Sequence, residues 1–276
     1  MKEISLQEMQ QLELAILLEL DAVCKKHGLR YYLDGGTLLG AVCYDGFIPW
    51  DDDIDIKMPR PDYERLLTLQ SEFPAHIRLE APSRAKCEYT FLKLVDQRTV
   101  LQEDSDGKSK LTGVYIDVLP MDGHPNDPKK CANHIAALNR CSNLFHGSLT
   151  HFRGMKQKKG PINKLRGWFF GIICSPWRLM RYMRRLVLRY PYDESDCVGL
   201  LVEGDPIRER FEKSWLEPPV MMEFEGHLFP APNQAEKHLS IFYRKPISRE
   251  LYYQRLPKIP SPHRHQVYWK EDPCQS

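Results

Sequence analysis

Four carboxylates fall within five positions at Asp51, Asp52, Asp53 and Asp55, interleaved with apolar Trp50, Ile54 and Ile56. Acidic runs of this kind are ordinarily solvated loops. Isoleucine at every second position argues instead for a strand over 51–56, read with a period of two. On such a strand Asp51, Asp53 and Asp55 share one face, and Asp52 points to the other. Carboxylates this close raise one another's pKa unless a cation lies between them. A hard divalent ion, Mg²⁺ or Mn²⁺, answers that problem, because it favours carboxylates, water and substrate phosphates. Just upstream, Gly35-Gly36-Thr37 offers backbone N–H groups that can approach a phosphate closely. Further on, Asp117 sits in the apolar run Val114–Leu119, where a charged side chain needs a partner.

Together these residues form a coherent set. The glycines meet phosphate, paired aspartates on one strand face hold metal, and Asp117 closes the shell from a neighbouring strand. The metal then bridges the phosphates of a nucleotide substrate. Lys93 has two readings. It is either a snorkelling lysine on an edge strand or a phosphate contact opposite the metal. Trp50 and Tyr32 read as core aromatics, and His124, His263 and His265 as surface histidines in Pro-rich turns.

The elements that must position this set are legible in outline. Ser5 and Glu8 have the spacing of a capping box. Leu6, Met9, Leu12, Ile16, Leu20 and Val23 then recur at helical spacing until Gly28. A short strand over 29–33 leads into the glycines, and a short helix is expected over 37–44. A helix is expected over 61–73, strands over 77–80, 90–95 and 114–119, and a helix over 128–150. On the last strand Val114, Ile116 and Val118 face one way, with Asp117 on the other. Short strands alternating with turns are expected beyond 191.

The composition sets bounds. The chain has 276 residues, 42% hydrophobic and 28% charged, with a formal net charge of +2. Such a balance does not call for a nucleic-acid partner. None of the eight cysteines forms a Cys-x-x-Cys pair or a zinc spacing, so reduced thiols and a cytoplasmic location are expected. No apolar leader opens the chain, and no apolar run approaches the roughly 20 residues of a membrane span.

Two blocks carry a resemblance to a known family. Leu33-Asp-Gly-Gly-Thr-Leu-Leu-Gly-Ala-Val42 and Gly46-Phe-Ile-Pro-Trp-Asp-Asp-Asp-Ile-Asp-Ile56 closely resemble the LicD family of phosphocholine transferases, itself similar to the fukutin-type ribitol-phosphate transferases. Ile116-Asp-Val-Leu-Pro-Met-Asp-Gly123 resembles its second motif, Lys93–Thr99 the segment between, and Phe229–Leu239 its C-terminal Pro-rich motif. Tyr243-Arg-Lys-Pro246 departs from the Tyr-Gly-Asp-Tyr that usually follows, on the acceptor side of the site. The resemblance implies an α/β fold, a nucleotidyltransferase-like core with a mixed sheet flanked by helices. It implies transfer of a phospho-alcohol from a CDP-linked donor to a sugar hydroxyl of a cell-surface glycan or its lipid-linked precursor. Asp53, Asp55 and Asp117 match its metal carboxylates. Asp51 is then a second-metal ligand or the group that accepts the acceptor's proton, and Gly35, Gly36, Thr37 and Lys93 contact substrate. Two alternatives stay open, an Asp-x-Asp glycosyltransferase using a nucleotide sugar and a non-catalytic binding relative.

Residues 156–190 interleave Trp168, Phe169, Phe170, Trp177 and Met180 with Arg166, Arg178, Arg181, Arg184 and Arg185. The segment reads as a helical basic insertion. Its cationic face is either merely solvated or a peripheral contact for an inner-membrane surface or an anionic glycan. The expected division is a catalytic core over 1–155, the basic helical segment over 156–215, and a segment over 216–276 that packs back on the core.

Overall fold

A computed structural model describes residues 2–85, 87, 89–105, 108–155, 175–202, 210–249 and 266–270. They form two compact units. The first comprises the described residues of 1–81, 92–120 and 213–276, and the second those of 82–91 and 121–212.

The first unit opens with α1 (Leu6–His27). Ser5 caps it: the Glu8 amide donates to Ser5 Oγ, and the Glu8 carboxylate accepts from the Ser5 amide. Gly28 ends it in the left-handed region, its φ being 62°. The face carrying Met9, Ile16, Leu17, Leu20 and Cys24 is buried in the main core, and Glu13 and Asp21 are buried on the same helix. Strand β1 (Tyr32–Leu33) pairs antiparallel with β2 (Asp55–Pro59), placing Tyr32 opposite Lys57 and Leu33 opposite Ile56. Between them lies α2 (Gly35–Tyr44). After α3 (Arg60–Leu66) come β3 (Ile77–Glu80), β4 (Leu92–Asp96), the hairpin β5 (Thr99–Ser105) and β6 (Lys108–Thr112), and β7 (Tyr115–Gly123). The mixed sheet runs β1-β2-β7-β4-β3, so the strands bearing Asp55 and Asp117 are neighbours.

Two expectations about elements need correction, and one hairpin is new. The strand expected over 51–56 begins only at Asp55, and Asp51–Ile54 have irregular backbone. The Asp51 amide donates to the Ile48 carbonyl, so the chain is still turning where a ladder would have to start. The helix expected over 61–73 stops at Leu66. There the Thr68 amide and hydroxyl both donate to the Arg65 carbonyl, tightening the chain into a short turn. The β5–β6 hairpin was not anticipated.

The last residues of β7 belong to the second unit, where Asp122 and Gly123 pair with β8 (Cys197–Gly199), which in turn pairs with β9 (Arg210–Glu212). Two helices, α4 (Pro128–Met155) and α5 (Pro176–Val187), share a core of Leu138, Cys141 and Phe145 with Met180, Met183, Leu186 and Val187. Both helices lie in the second unit. α4 has its apolar partner in α5, so both belong together. Residues 156–174 of the basic segment lie outside the described residues, and α5 is helical as expected.

From Lys213 the chain returns to the first unit. Strands β10 (Val220–Phe224) and β11 (His227–Ala231) form a hairpin, followed by α6 (Ala235–Phe242). Phe224, Phe229, Ala231 and Leu239 enter the main core. Finally β12 (Gln266–Trp269) pairs with β5. None of the described cysteines forms a disulfide. No helix among the described residues is long and apolar enough to cross a membrane.

Candidate active site

The glycine turn and the acid-bearing chain hold each other. Asp34 precedes α2 with extended backbone, and its amide donates to the Asp55 carbonyl at 3.1 Å. The Asp55 amide donates to Thr37 Oγ1 at 2.9 Å. Two bonds thus tie the first residue of β2 to the first turn of α2. Gly35 has a φ of +53°, which favours glycine, and a Cβ there would lie 2.9 Å from Asp55 Oδ2. A Cβ on Gly36 would lie 2.6 Å from Asp51 Oδ2. Both glycines therefore leave room for a carboxylate of the acid cluster.

Asp51 is fixed through its backbone, its carbonyl accepting from Gln10 Nε2 of α1 at 2.9 Å. The turn gathers Asp51, Asp52 and Asp53, whose ligand oxygens come within 4.8 Å of one another. Asp52 was expected on the opposite face of a strand. It is instead 5% exposed and stands with its two neighbours, because the turn abolishes the alternation. Asp117 arrives from β7, its amide donating to the Ile54 carbonyl at 2.9 Å. The β4–β7 register sets Lys93 opposite Asp117, and Lys93 Nζ lies 3.0 Å from Asp117 Oδ1 and 3.3 Å from the centre of the Tyr115 ring. Because β4 lies between β7 and β3 and Lys93 is buried, the snorkelling edge lysine is not what the structure contains.

The electrostatics follow from crowding. Burial first, then the charges of Asp53 and Asp52, raise the Asp51 carboxyl to about 7. Burial likewise pushes Asp55 well above the usual carboxylate range, with Asp53, Asp117, Asp34 and Asp51 adding to it. Asp55 therefore feels both of the other carboxylates expected to share a metal with it. Asp51 Oδ2 is buried and has no hydrogen-bond partner among the described residues. An all-carboxylate set, crowded and short of donors, fits Mg²⁺ or Mn²⁺ rather than a softer ion.

Two features escaped the sequence reading. Asp34, Lys57 and His238 form a buried cluster behind the glycine turn. Lys57 Nζ lies 2.8 Å and His238 Nε2 3.1 Å from Asp34 Oδ1. Burial alone would raise the Asp34 carboxyl, but Lys57 and His238 overturn this and hold it at about 2. A lysine inside the apolar β2 was a readable signal; His238, some two hundred residues away from Asp34, gave none. The second feature is Glu13, whose position in the apolar stripe of α1 could have singled it out. Of the histidines read as surface groups, His124 is in fact buried, which pushes its imidazole down to about 3. His263 and His265 lie outside the described residues. On α5, Arg178, Arg181, Arg184 and Arg185 are exposed.

Carboxylates are thus gathered from a turn and two neighbouring strands beside a glycine-opened helix. Residues 28–127 match the family described as LicD/FKTN/FKRP, nucleotidyltransferase domain. The chain is 30% identical over 251 residues to the lipopolysaccharide cholinephosphotransferase LicD of Haemophilus influenzae, covering 88% of this chain and 91% of that protein. An uncharacterized protein of Rickettsia prowazekii is 31% identical over 100 residues, 36% of this chain and 35% of its own. The mannosyltransferase regulator 4 of Saccharomyces cerevisiae is 35% identical over 95 residues, 34% of this chain and 8% of that protein. The chain belongs to the LicD family, and with it to the phosphotransferases.

Proposed function

We propose that this protein moves a phospho-alcohol, phosphocholine or a close relative of it, from a CDP-linked donor to a sugar hydroxyl of a cell-surface glycan or its lipid-linked precursor. The fold is read as a nucleotidyltransferase-like core. The observation that carries the proposal is the joining of the glycine turn to the carboxylates, through the Asp34–Asp55 and Asp55–Thr37 hydrogen bonds. This arrangement supports reading the glycine turn as a phosphate contact next to carboxylates that would hold a metal. The match along 88% of the chain to a named cholinephosphotransferase supports it.

Asp53, Asp55 and Asp117 would hold Mg²⁺ or Mn²⁺, which when bound supplies positive charge to the donor phosphates. The backbone at Gly35 and Gly36, with Thr37, would orient the diphosphate. Lys93, paired with Asp117, places a cation at the same end of β4 and β7. Asp51, its carboxyl near 7, is suited to take the proton of the acceptor hydroxyl. The acceptor oxygen bonds to the phosphorus that carries the alcohol, the bond from that phosphorus to CMP breaks, and CMP leaves. A cleft of about 490 Å³ beside the Asp51 turn, lined in part by Gln7, Gln10, Gln11 and Phe47, offers neutral amides and an aromatic surface suited to sugar hydroxyls. The arginines of α5 would meet the anionic surface on which a lipid-linked acceptor resides, which would make the protein a peripheral visitor to the cytoplasmic face of the membrane.

A thermal-shift panel with CDP-choline, CDP-ribitol, CDP-glycerol and UDP-sugars, each with Mg²⁺, tests this reading. A CDP-alcohol should stabilise the protein in a metal-dependent way, and Asp53→Ala should abolish the shift. Stabilisation by a UDP-sugar alone would point to a glycosyltransferase, and no shift with any nucleotide to a binding protein.

A further inference from the structure

Helix α1 carries two buried acidic residues with opposite circumstances. Asp21 is satisfied, accepting from the Tyr31 hydroxyl at 2.8 Å and from Lys25 Nζ at 2.6 Å. Glu13 is fully buried, and neither of its carboxylate oxygens has a hydrogen-bond partner among the described residues. An ionisable group taken out of water without a partner costs several kcal/mol in round terms. An Ile or Leu at this point of an apolar helix face would avoid that cost.

The surroundings of Glu13 say what it faces. Gln10 lies one turn earlier on the same helix face and fastens to the Asp51 carbonyl at 2.9 Å. Glu13 is thereby brought to the turn that Gln10 holds. After burial, the groups that push its carboxyl upward are Asp53, Asp52, Asp51 and Asp117 in that order. Three of these are the residues whose ligand oxygens gather within 4.8 Å. Glu13 thus adds, from a different element, a buried acid without a hydrogen-bond partner among the described residues, one helical turn from the bond that ties α1 to Asp51.

We propose that Glu13 is a further cation ligand, reaching from α1 to the divalent ion that Asp53 of the turn would hold with Asp55 and Asp117, so that metal binding clamps α1 onto the active site. The inference rests on the metal-dependent reading above and adds a ligand and an element to it. It also accounts for Gln10, which fixes the distance between helix and turn. α1 becomes part of the catalytic apparatus rather than a covering of the sheet.

The test uses the full chain and Mn²⁺ alone, with binding read by electron paramagnetic resonance titration. Glu13→Gln keeps the shape and removes the charge. It should weaken Mn²⁺ binding at least tenfold and shrink the thermal stabilisation by Mn²⁺, while its metal-free melting temperature stays at or above that of the wild type. Glu13→Asp, which keeps the charge on a shorter stem, should retain more of the affinity than Glu13→Gln. In the wild type, Mn²⁺ should slow amide hydrogen exchange in α1 around residues 10–14; this measurement stands even if a variant fails to fold. Unchanged Mn²⁺ affinity in Glu13→Gln, or no added protection of α1, overturns the inference and leaves the metal reading intact. A wild-type protein that binds no Mn²⁺ overturns both.

Discussion

At Asp34 a single carboxylate carries two jobs, preceding the helix that bears the glycines and anchoring a buried lysine and histidine. Breaking such a cluster from one side leaves an uncompensated buried charge, and that typically costs about 3–5 kcal/mol. Lys57→Met should therefore destabilise the protein by about that much, as read by urea unfolding. Adding Asp34→Asn to Lys57→Met should recover part of the loss, since the stranded charge is then gone. A loss no larger than that of an average surface substitution would show that the cluster is dispensable. Two glycines of α2, Gly36 and Gly40, differ in what they approach. A Cβ on Gly36 meets a carboxylate that can swing away, whereas one on Gly40 runs into the Gly46 backbone carbonyl, which cannot. Gly36→Ala should fold with near-normal stability and lose turnover as Asp51, the proposed proton acceptor, is displaced. Gly40→Ala should lower the melting temperature sharply. Equal losses of stability in the two variants would contradict this distinction.

Elements were legible where a local pattern and its cap coincided. The capping box and glycine stop of α1 and the alternation of β7 needed no tertiary information. The start of β2 was misplaced because alternation of Asp and Ile looks the same in a strand and in a turn whose isoleucine is buried. Only the Asp51–Ile48 and Asp51–Gln10 contacts decide between them, and neither is written in the local sequence. The chemical reasons for singling out Asp51, Asp53, Asp55 and Asp117 do not depend on that strand assignment. Asp52 was set aside only because of the misassigned strand. Asp34, Lys57 and His238 are invisible as a set, since their common environment is assembled from three distant elements. For α5 the reading holds in the part described. Its apolar side packs on α4, and Arg181, Arg184 and Arg185 stay exposed. Charge reversal at these three should weaken binding to anionic vesicles, more strongly at low salt, where screening extends over tens of ångströms. CDP-alcohol binding should stay unchanged. Loss of donor affinity with vesicle binding retained would assign this helix to the nucleotide instead.

Across the whole molecule, near-neutral net charge conceals two opposed responses to pH. Asp34 and His238 both have folded-state pKa values below their unfolded ones, through the Lys57 pairing of Asp34 and the burial of His238. Their unfolded forms bind more protons, so the stability they contribute is present above the unfolded pKa values and is lost as pH falls. The active-site acids behave in the opposite way. Asp51 is raised to about 7, and Asp55 and Glu13 lie well above their ordinary range. Here the folded form holds protons that the unfolded chain has released, so stability declines as pH rises from about 4 through the folded-state pKa of Asp51. Metal-free protein should accordingly be most stable in weakly acidic solution, with a melting temperature that falls between about pH 6 and pH 8. Asp51→Asn should flatten that decline, because the amide has no proton to release. Mg²⁺ should flatten it too, by favouring the ionised carboxylates, and its stabilising effect should grow with pH across the same window. Melting curves recorded with chelator and with Mg²⁺ at several pH values decide the matter. A metal-free melting temperature that rises through this window, or a Mg²⁺ effect independent of pH, would mean that the acid cluster is ionised and solvated rather than held for a cation.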